Sequence, residues 1–318
     1  MNSLTKAAAA TVFTVAMGLA VPALAKDCDR TCLTDVMDDY IAAMVAHKPG
    51  DAPLAKSIVT VENAKRIEPG EGLWKATTKG PDTFKIYVPD EVSQQVGGMF
   101  MIEEDGKPAL IGLRLKLDDK GRIVEAEHMV ARNLREGVMA NLEKPRAAFS
   151  QEVPEAYRDS RSRLVSIALS YYDALDENNG SLAPFTDDCV RRENGIQTAR
   201  NPVPTDEGTD GFGYLGALGC EAQVDTLMWT YITKIDNRRV LTADPVTGLA
   251  IGFSHFHHAF TQKSFPLLGV PGQEEREMDY EPFDLPAMHI YKIWGGKIHE
   301  IEAMGFTAPY NIPTGWEK

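Results

Sequence analysis

The chain repeats itself, and that restricts its fold more than any single motif does. Tyr40 recurs as Tyr171, and Glu62-Asn63 recurs as Glu193-Asn194, both at an offset of 131. Asp90, in YVPDEVSQ, recurs as Asp244, in LTADPVTG, at an offset of 154. The run GRIVEAE at 121–127 returns as GKIHEIE at 296–302, an offset of 175. The offsets only grow. Segment order is therefore kept, and the second copy carries extra residues around 201–220 and 264–284. A unit this long is not a solenoid repeat. It is a duplicated domain, so one fold must suit both copies.

Hydrophobic spacing gives the elements of the unit. Over 29–46, Leu33, Val36, Met37, Tyr40, Ile41 and Met44 fall three and four apart, which predicts an amphipathic helix. A short second helix is expected at 53–56. Strands follow at 58–63, 83–88, 96–103, 110–117 and 122–130. The second copy predicts a helix at 164–175, a short helix at 182–185, and strands at 189–194, 248–260 and 287–294. Helices first and antiparallel strands after is an α+β order. Between the copies, 134–154 loses its helical spacing and is punctuated by Lys144-Pro145 and Val153-Pro154, as a connector would be. The expected layout is a leader at 1–25, an N-terminal domain at 26–133, a connector at 134–158 and a C-terminal domain at 159–318.

The leader is read from Lys6, an apolar run at 7–20, and Ala23-Leu24-Ala25. A basic start, a short apolar core and a small-residue end make a secretory signal. The expectation is a secreted or periplasmic protein with no membrane attachment after cleavage. A net charge of −13 argues against nucleic acid and anionic membranes as partners. A small molecule is the expected partner, and a homo-oligomer is allowed. Disulfides persist outside the cytoplasm. Bridges Cys28–Cys32 and Cys189–Cys220 are feasible, and the other pairings stay open.

Helix, short helix, strand, then long curved antiparallel strands resembles the cone-shaped fold of the SnoaL-like and nuclear transport factor 2-like superfamily. The wording FTDDCVRRENGIQT at 185–198, Gly219-Cys220, and IDNRR at 235–239 is similar to a group of exported SnoaL-like proteins. The resemblance implies two tandem NTF2-like domains. It allows ketosteroid isomerases, polyketide cyclases, dehydratases and plain binders, so it does not settle function.

The candidate chemistry centres on GLAIGFSHFHHAF at 248–260. Strand alternation puts Leu249, Ile251, Phe253, His255 and His257 on one face and His258 on the other. The apolar face is expected to be the concave one, carrying His255 and His257 into a cavity beside His289 and Tyr291 of the next strand. A histidine near its working pKa can move a proton between carbon and oxygen. A tyrosine can donate to a developing oxyanion. Glu193 and Tyr171 are further catalytic candidates, although their recurrence as Glu62 and Tyr40 favours a structural role. Arg192, Asn194, Tyr231, Arg239 and Phe253 are candidate substrate-binding residues. The expected activity is a cofactor-independent lyase, dehydratase or isomerase acting on a small apolar, aromatic or polyketide-like molecule. The alternatives are a non-catalytic binder and a zinc hydrolase using His255, His257 and His289. Nucleotide and serine-hydrolase motifs are absent from the sequence.

Overall fold

The computed structural model describes residues 27–202 and 211–317. The expected leader and part of the first extra segment lie outside the described residues. In the first copy, helix α1 (Arg30–Val45) is capped by Asp29, whose side chain accepts from the Cys32 backbone N–H. It lies across a curled sheet of β1 (Leu54–Glu62), β2 (Lys65–Ile67), β3 (Thr77–Lys79), β4 (Lys85–Asp90), β5 (Gln95–Glu104), β6 (Lys107–Leu117) and β7 (Ile123–Ala131). A single-turn helix, α2 (Leu73–Ala76), precedes β3.

The second copy repeats this. Helix α3 (Arg161–Asp176) is capped by Ser160. Then come β8 (Phe185–Glu193), β9 (Ile196–Ala199), α4 (Gly211–Ala217), α5 (Cys220–Asp225), β10 (Lys234–Asp244) and β11 (Leu249–His258). A small hairpin, β12 (Ser264–Pro266) with β13 (Glu275–Glu277), is followed by β14 (Phe283–Trp294), β15 (Lys297–Gly305) and β16 (Ala308–Pro309). The strand orders match, β2-β1-β7-β6-β5 against β9-β8-β15-β14-β11. Two tandem α+β cones are therefore present, as the repeat requires. The expected short helices at 53–56 and 182–185 are instead 3-10 turns at Pro49–Asp51 and Gly180–Leu182. The sheets are mixed rather than purely antiparallel, because β1 runs parallel to β7 and β8 runs parallel to β15.

The cones meet sheet to sheet. Phe84, Ile86, Met99, Leu110 and Met129 of the first copy pack with Leu249, Ile251, Phe253, Met288 and Ile290 of the second. Two crossed ion pairs frame this contact. Arg30, first residue of α1, binds Asp244 at 2.6 Å, and Arg161, first residue of α3, binds Asp90 at 2.7 Å. The offsets already related these residues, so the interface is a pseudo-twofold one within one chain.

This packing reverses the expected orientation of β11. All ten of its residues are buried. The apolar odd positions face the other sheet, not the cone. The even positions face the cone, and Ala250, Gly252 and Ser254 among them are small because α3 lies close: a Cβ on Gly252 would stand 2.4 Å from the Tyr172 hydroxyl. An apolar face marks the concave side only where the other face meets solvent, and β11 has no such face.

Both feasible bridges are formed, Cys28–Cys32 and Cys189–Cys220. They fit an oxidising environment. Among the described residues no helix is long and apolar enough to cross a membrane.

Candidate active site

A cavity of about 140 Å³ opens into the C-terminal cone. Helix α3 contributes Tyr171 and Leu175, β8 ends on it with Glu193, and β11 supplies Phe256 and His258. His289 comes from β14, and Trp229 and Tyr231 come from the turn before β10. Asn194 sits at its rim and holds the β15 end, its side chain donating to the Gly305 carbonyl and accepting from the Gly305 N–H.

The aromatic rings are mutually packed. The His289 ring is 5.2 Å from Tyr171 and stacks on Tyr291 at 5.8 Å. Its Nδ1 lies 3.5 Å from the Tyr172 hydroxyl. Burial, reinforced by the Arg191 charge, pulls the His289 pKa down to about 3. The imidazole is thus neutral at ordinary pH, a hydrogen-bonding group rather than a strong base. Burial pushes Tyr172 and Tyr231 up to about 12 and raises Tyr171 and Tyr291 further. These phenols keep their protons and remain donors.

Glu193 is the carboxylate of the cavity. Its side chain is 38% exposed, and Oε1 forms an ion pair with Arg191, 2.7 Å from Nε. Arg191 is wholly buried. Its Nε donates to Thr198 Oγ1 at 3.0 Å, another of its nitrogens donates to Gln223 Oε1, and its guanidinium lies 5.0 Å over the Trp229 ring. Gln223 belongs to α5, which Cys220 ties to Cys189 of β8. A disulfide, an amide and a guanidinium thus brace Glu193 in series. An ion pair of Glu193 with Arg238 or Arg239, the structural alternative to a catalytic role, is not formed. Arg238 instead binds Asp173 and Asp176 of α3.

Several expected site residues lie elsewhere. His255 and His257 are on the outer face of the sheet, and His258, which alternation had excluded, lines the cavity. His257 is held between Asp284 at 2.8 Å and Asp236 at 2.9 Å. His255 sits in a small crevice between the cones with Arg239 and Phe253. Arg239 binds Glu127 of the other copy at 2.7 Å, and Phe253 belongs to the core between the sheets. Arg192 faces away and donates to the Asn141 carbonyl of the connecting segment. The zinc set His255, His257 and His289 is split across the two faces of one sheet.

The sequence reading missed a cluster in the first cone. Tyr40 OH lies 2.8 Å from His128 Nε2, and His128 Nδ1 lies 3.2 Å from Glu62 Oε2. Both cones place a histidine beside the helix tyrosine, but from neighbouring strands. The cross-strand pair Leu113–His128 of the first copy corresponds to His289–Ala303 of the second. The recurrence of Tyr40 and Glu62 was the signal that could have led to His128.

A family model described as "Domain of unknown function (DUF8021)" matches residues 157–305, which is the C-terminal cone from just before α3 to the end of β15. No curated protein matches the chain. Among solved structures, the chain is similar to a proposed polyketide cyclase from Xanthomonas campestris, with 13% identity and a TM-score of 0.29, covering 45% of this chain and 90% of that one. It is also similar to a steroid delta-isomerase from Pseudomonas aeruginosa, with 15% identity and a TM-score of 0.24, covering 32% and 80%. A third is an NTF2-like protein of unknown function from Cytophaga hutchinsonii, with 18% identity and a TM-score of 0.24, covering 31% and 89%.

Proposed function

We propose that the C-terminal cone is a cofactor-independent acid–base site, a lyase or isomerase that works outside the cytoplasm on a small, single-ring molecule. One observation carries this reading: the Glu193 carboxylate and the protonated Tyr171 phenol line the same mostly apolar cavity. A carboxylate at the mouth can take a proton from a substrate carbon. A buried phenol donating to the oxygen where charge develops lowers the barrier to that step. Neutral His289 can hold the same oxygen or return the proton to it, as other neutral imidazoles do. The apolar walls exclude water, which strengthens each of these interactions. Size sets the substrate class, since a cavity of about 150 Å³ accepts a benzene-sized molecule.

The test is proton exchange at carbon. Single-ring enolisable ketones are incubated in deuterated water with the protein, and loss of the α-proton signal is followed by NMR. The wild type should exchange at least one of them, and Glu193→Gln should be slower by about 10²–10⁴-fold, the usual contribution of a positioned base. Equal rates for the two proteins would remove Glu193 from the role. Tight binding without exchange would make the cone a binding site, the alternative the fold allows.

A further inference from the structure

The two cones differ in one respect that their shared frame makes legible: one is open and the other is filled. The filler is Trp74, which is 1% exposed and packs edge-on to Tyr40 at 5.0 Å. Strand register identifies its counterpart. Lys79 of β3 stands opposite Glu103, and Lys234 of β10 stands opposite His257. Counting back about five residues from each lysine, one turn of helix plus a link, reaches Trp74 in the first copy and Trp229 in the second. The backbone agrees, because the residue two before each tryptophan has positive φ, 58° at Gly72 and 65° at Leu227. The same tryptophan is therefore delivered to the same place in both cones.

In the second cone the ring does something else. Trp229 lies under the Arg191 guanidinium and beside Tyr231, at the cavity wall. Register also gives the counterpart of Arg191. Thr60 pairs with Ala126 on β1 and β7, and Arg191 pairs with Ile301 on β8 and β15. Ala126 and Ile301 share the offset of 175, so Thr60 stands where Arg191 does. Threonine is too short to reach the indole, whereas arginine covers its face and attracts it as a cation does a π-system.

We propose that Arg191 keeps the C-terminal cone open by holding Trp229 at the wall, and that the N-terminal cone is closed because Thr60 lets Trp74 fall onto Tyr40. Arg191 is thus a positioning residue that decides which cone receives a ligand, and it rests on the reading of the C-terminal cavity as the ligand site. The first cone is a matching receptacle that carries its own occupant, an indole against the Tyr40–His128–Glu62 cluster. The Glu62 carboxylate holds the plug in place, accepting the Leu73 N–H at 2.9 Å.

The experiment uses two probes of the full chain: xenon, which reports an open apolar cavity whatever its function, and para-fluorophenol, a single-ring ligand followed by fluorine NMR. Wild type should take xenon in the C-terminal cone only. Arg191→Thr should lose that site and weaken para-fluorophenol by at least about tenfold, a 1.4 kcal/mol change in binding. Arg191→Thr combined with Trp229→Ala should recover both signals, because the plug is gone. Trp74→Ala should add a second xenon site in the N-terminal cone, and this arm does not depend on how Arg191 variants fold. An Arg191→Thr protein that keeps its xenon site overturns the proposal. So does a double variant as silent as the single one, since Arg191 would then act by direct contact or by holding the fold. Xenon entry with no ketone exchange and no phenol binding would sink the acid–base reading alone and leave the gating intact.

Discussion

His289 is buried against four aromatic rings with no carboxylate partner among the described residues, and its pKa falls to about 3. The unfolded chain offers the same imidazole near 6.5. Above that pH both states are neutral and the group contributes nothing. Between 6.5 and 3 the unfolded state takes a proton that the folded state refuses, so stability falls as pH falls, by up to about 1.4 kcal/mol per unit. Glu302 opposes this, because burial raises its pKa to about 7 and it favours the fold as pH falls through that value. The clean measurement is a difference: urea unfolding of wild type and His289→Gln between pH 4 and 6. The variant should show a shallower acid slope by about one proton, and parallel slopes would mean that His289 is not held neutral. Residue identity alone could not have given this. The sequence supplied seven histidines, and only the fold separates His257, clasped by two aspartates, from His289, clasped by none.

At the level of elements, β8 and α5 form the support of the site, and one bridge joins them. Cys189–Cys220 closes a loop with a separation of 31, and Cys28–Cys32 one of only 4. If unfolded-state entropy dominates, the first contributes about 3–4 kcal/mol and the second about 2. Cys189→Ser/Cys220→Ser should therefore lower the urea midpoint more than Cys28→Ser/Cys32→Ser does. It should also weaken para-fluorophenol binding, because Gln223 loses its fixed position beside Arg191. Equal costs, with binding untouched, would show that the bridge does not support the cavity. The two long helices were legible in periodicity, and both bridges were among the pairings that the cysteine spacing left open. The facing of β11 was not legible. Alternation tells which residues share a face, but it cannot say what lies against that face. Here Leu249, Ile251 and Phe253 are apolar because another sheet covers them, while the cone side tolerates Gly252 and Ser254 because a helix presses on it. A strand buried on both sides carries no inside or outside in its pattern.

At the level of the whole molecule, the two cones share one core between their sheets. Neither sheet could leave that contact without exposing Ile251, Met99, Leu110 and Met288, each worth about 1.5–3 kcal/mol of burial. The chain should therefore unfold in urea as one unit, with coincident curves from fluorescence and circular dichroism. Asp90→Ala and Asp244→Ala each leave one arginine of the frame unpaired. Both arginines are about a third exposed, which limits the cost to about 1–3 kcal/mol apiece. The two losses should couple rather than simply add, because Asp90 also accepts from the Ala243 N–H, next to Asp244. Two resolved transitions in the wild type would mean that the cones fold independently and the frame is incidental.

The crossed pairs Arg30–Asp244 and Arg161–Asp90 carry a consequence for how such a molecule can vary. Two identical subunits facing each other this way would have to change in step, since one substitution is written into both. Any residue that plugged one cup would plug its mirror image. Joining the copies in a single chain removes that obligation while keeping the handshake between them. One cup can then be stoppered for firmness, as Trp74 does, and the other left empty for work.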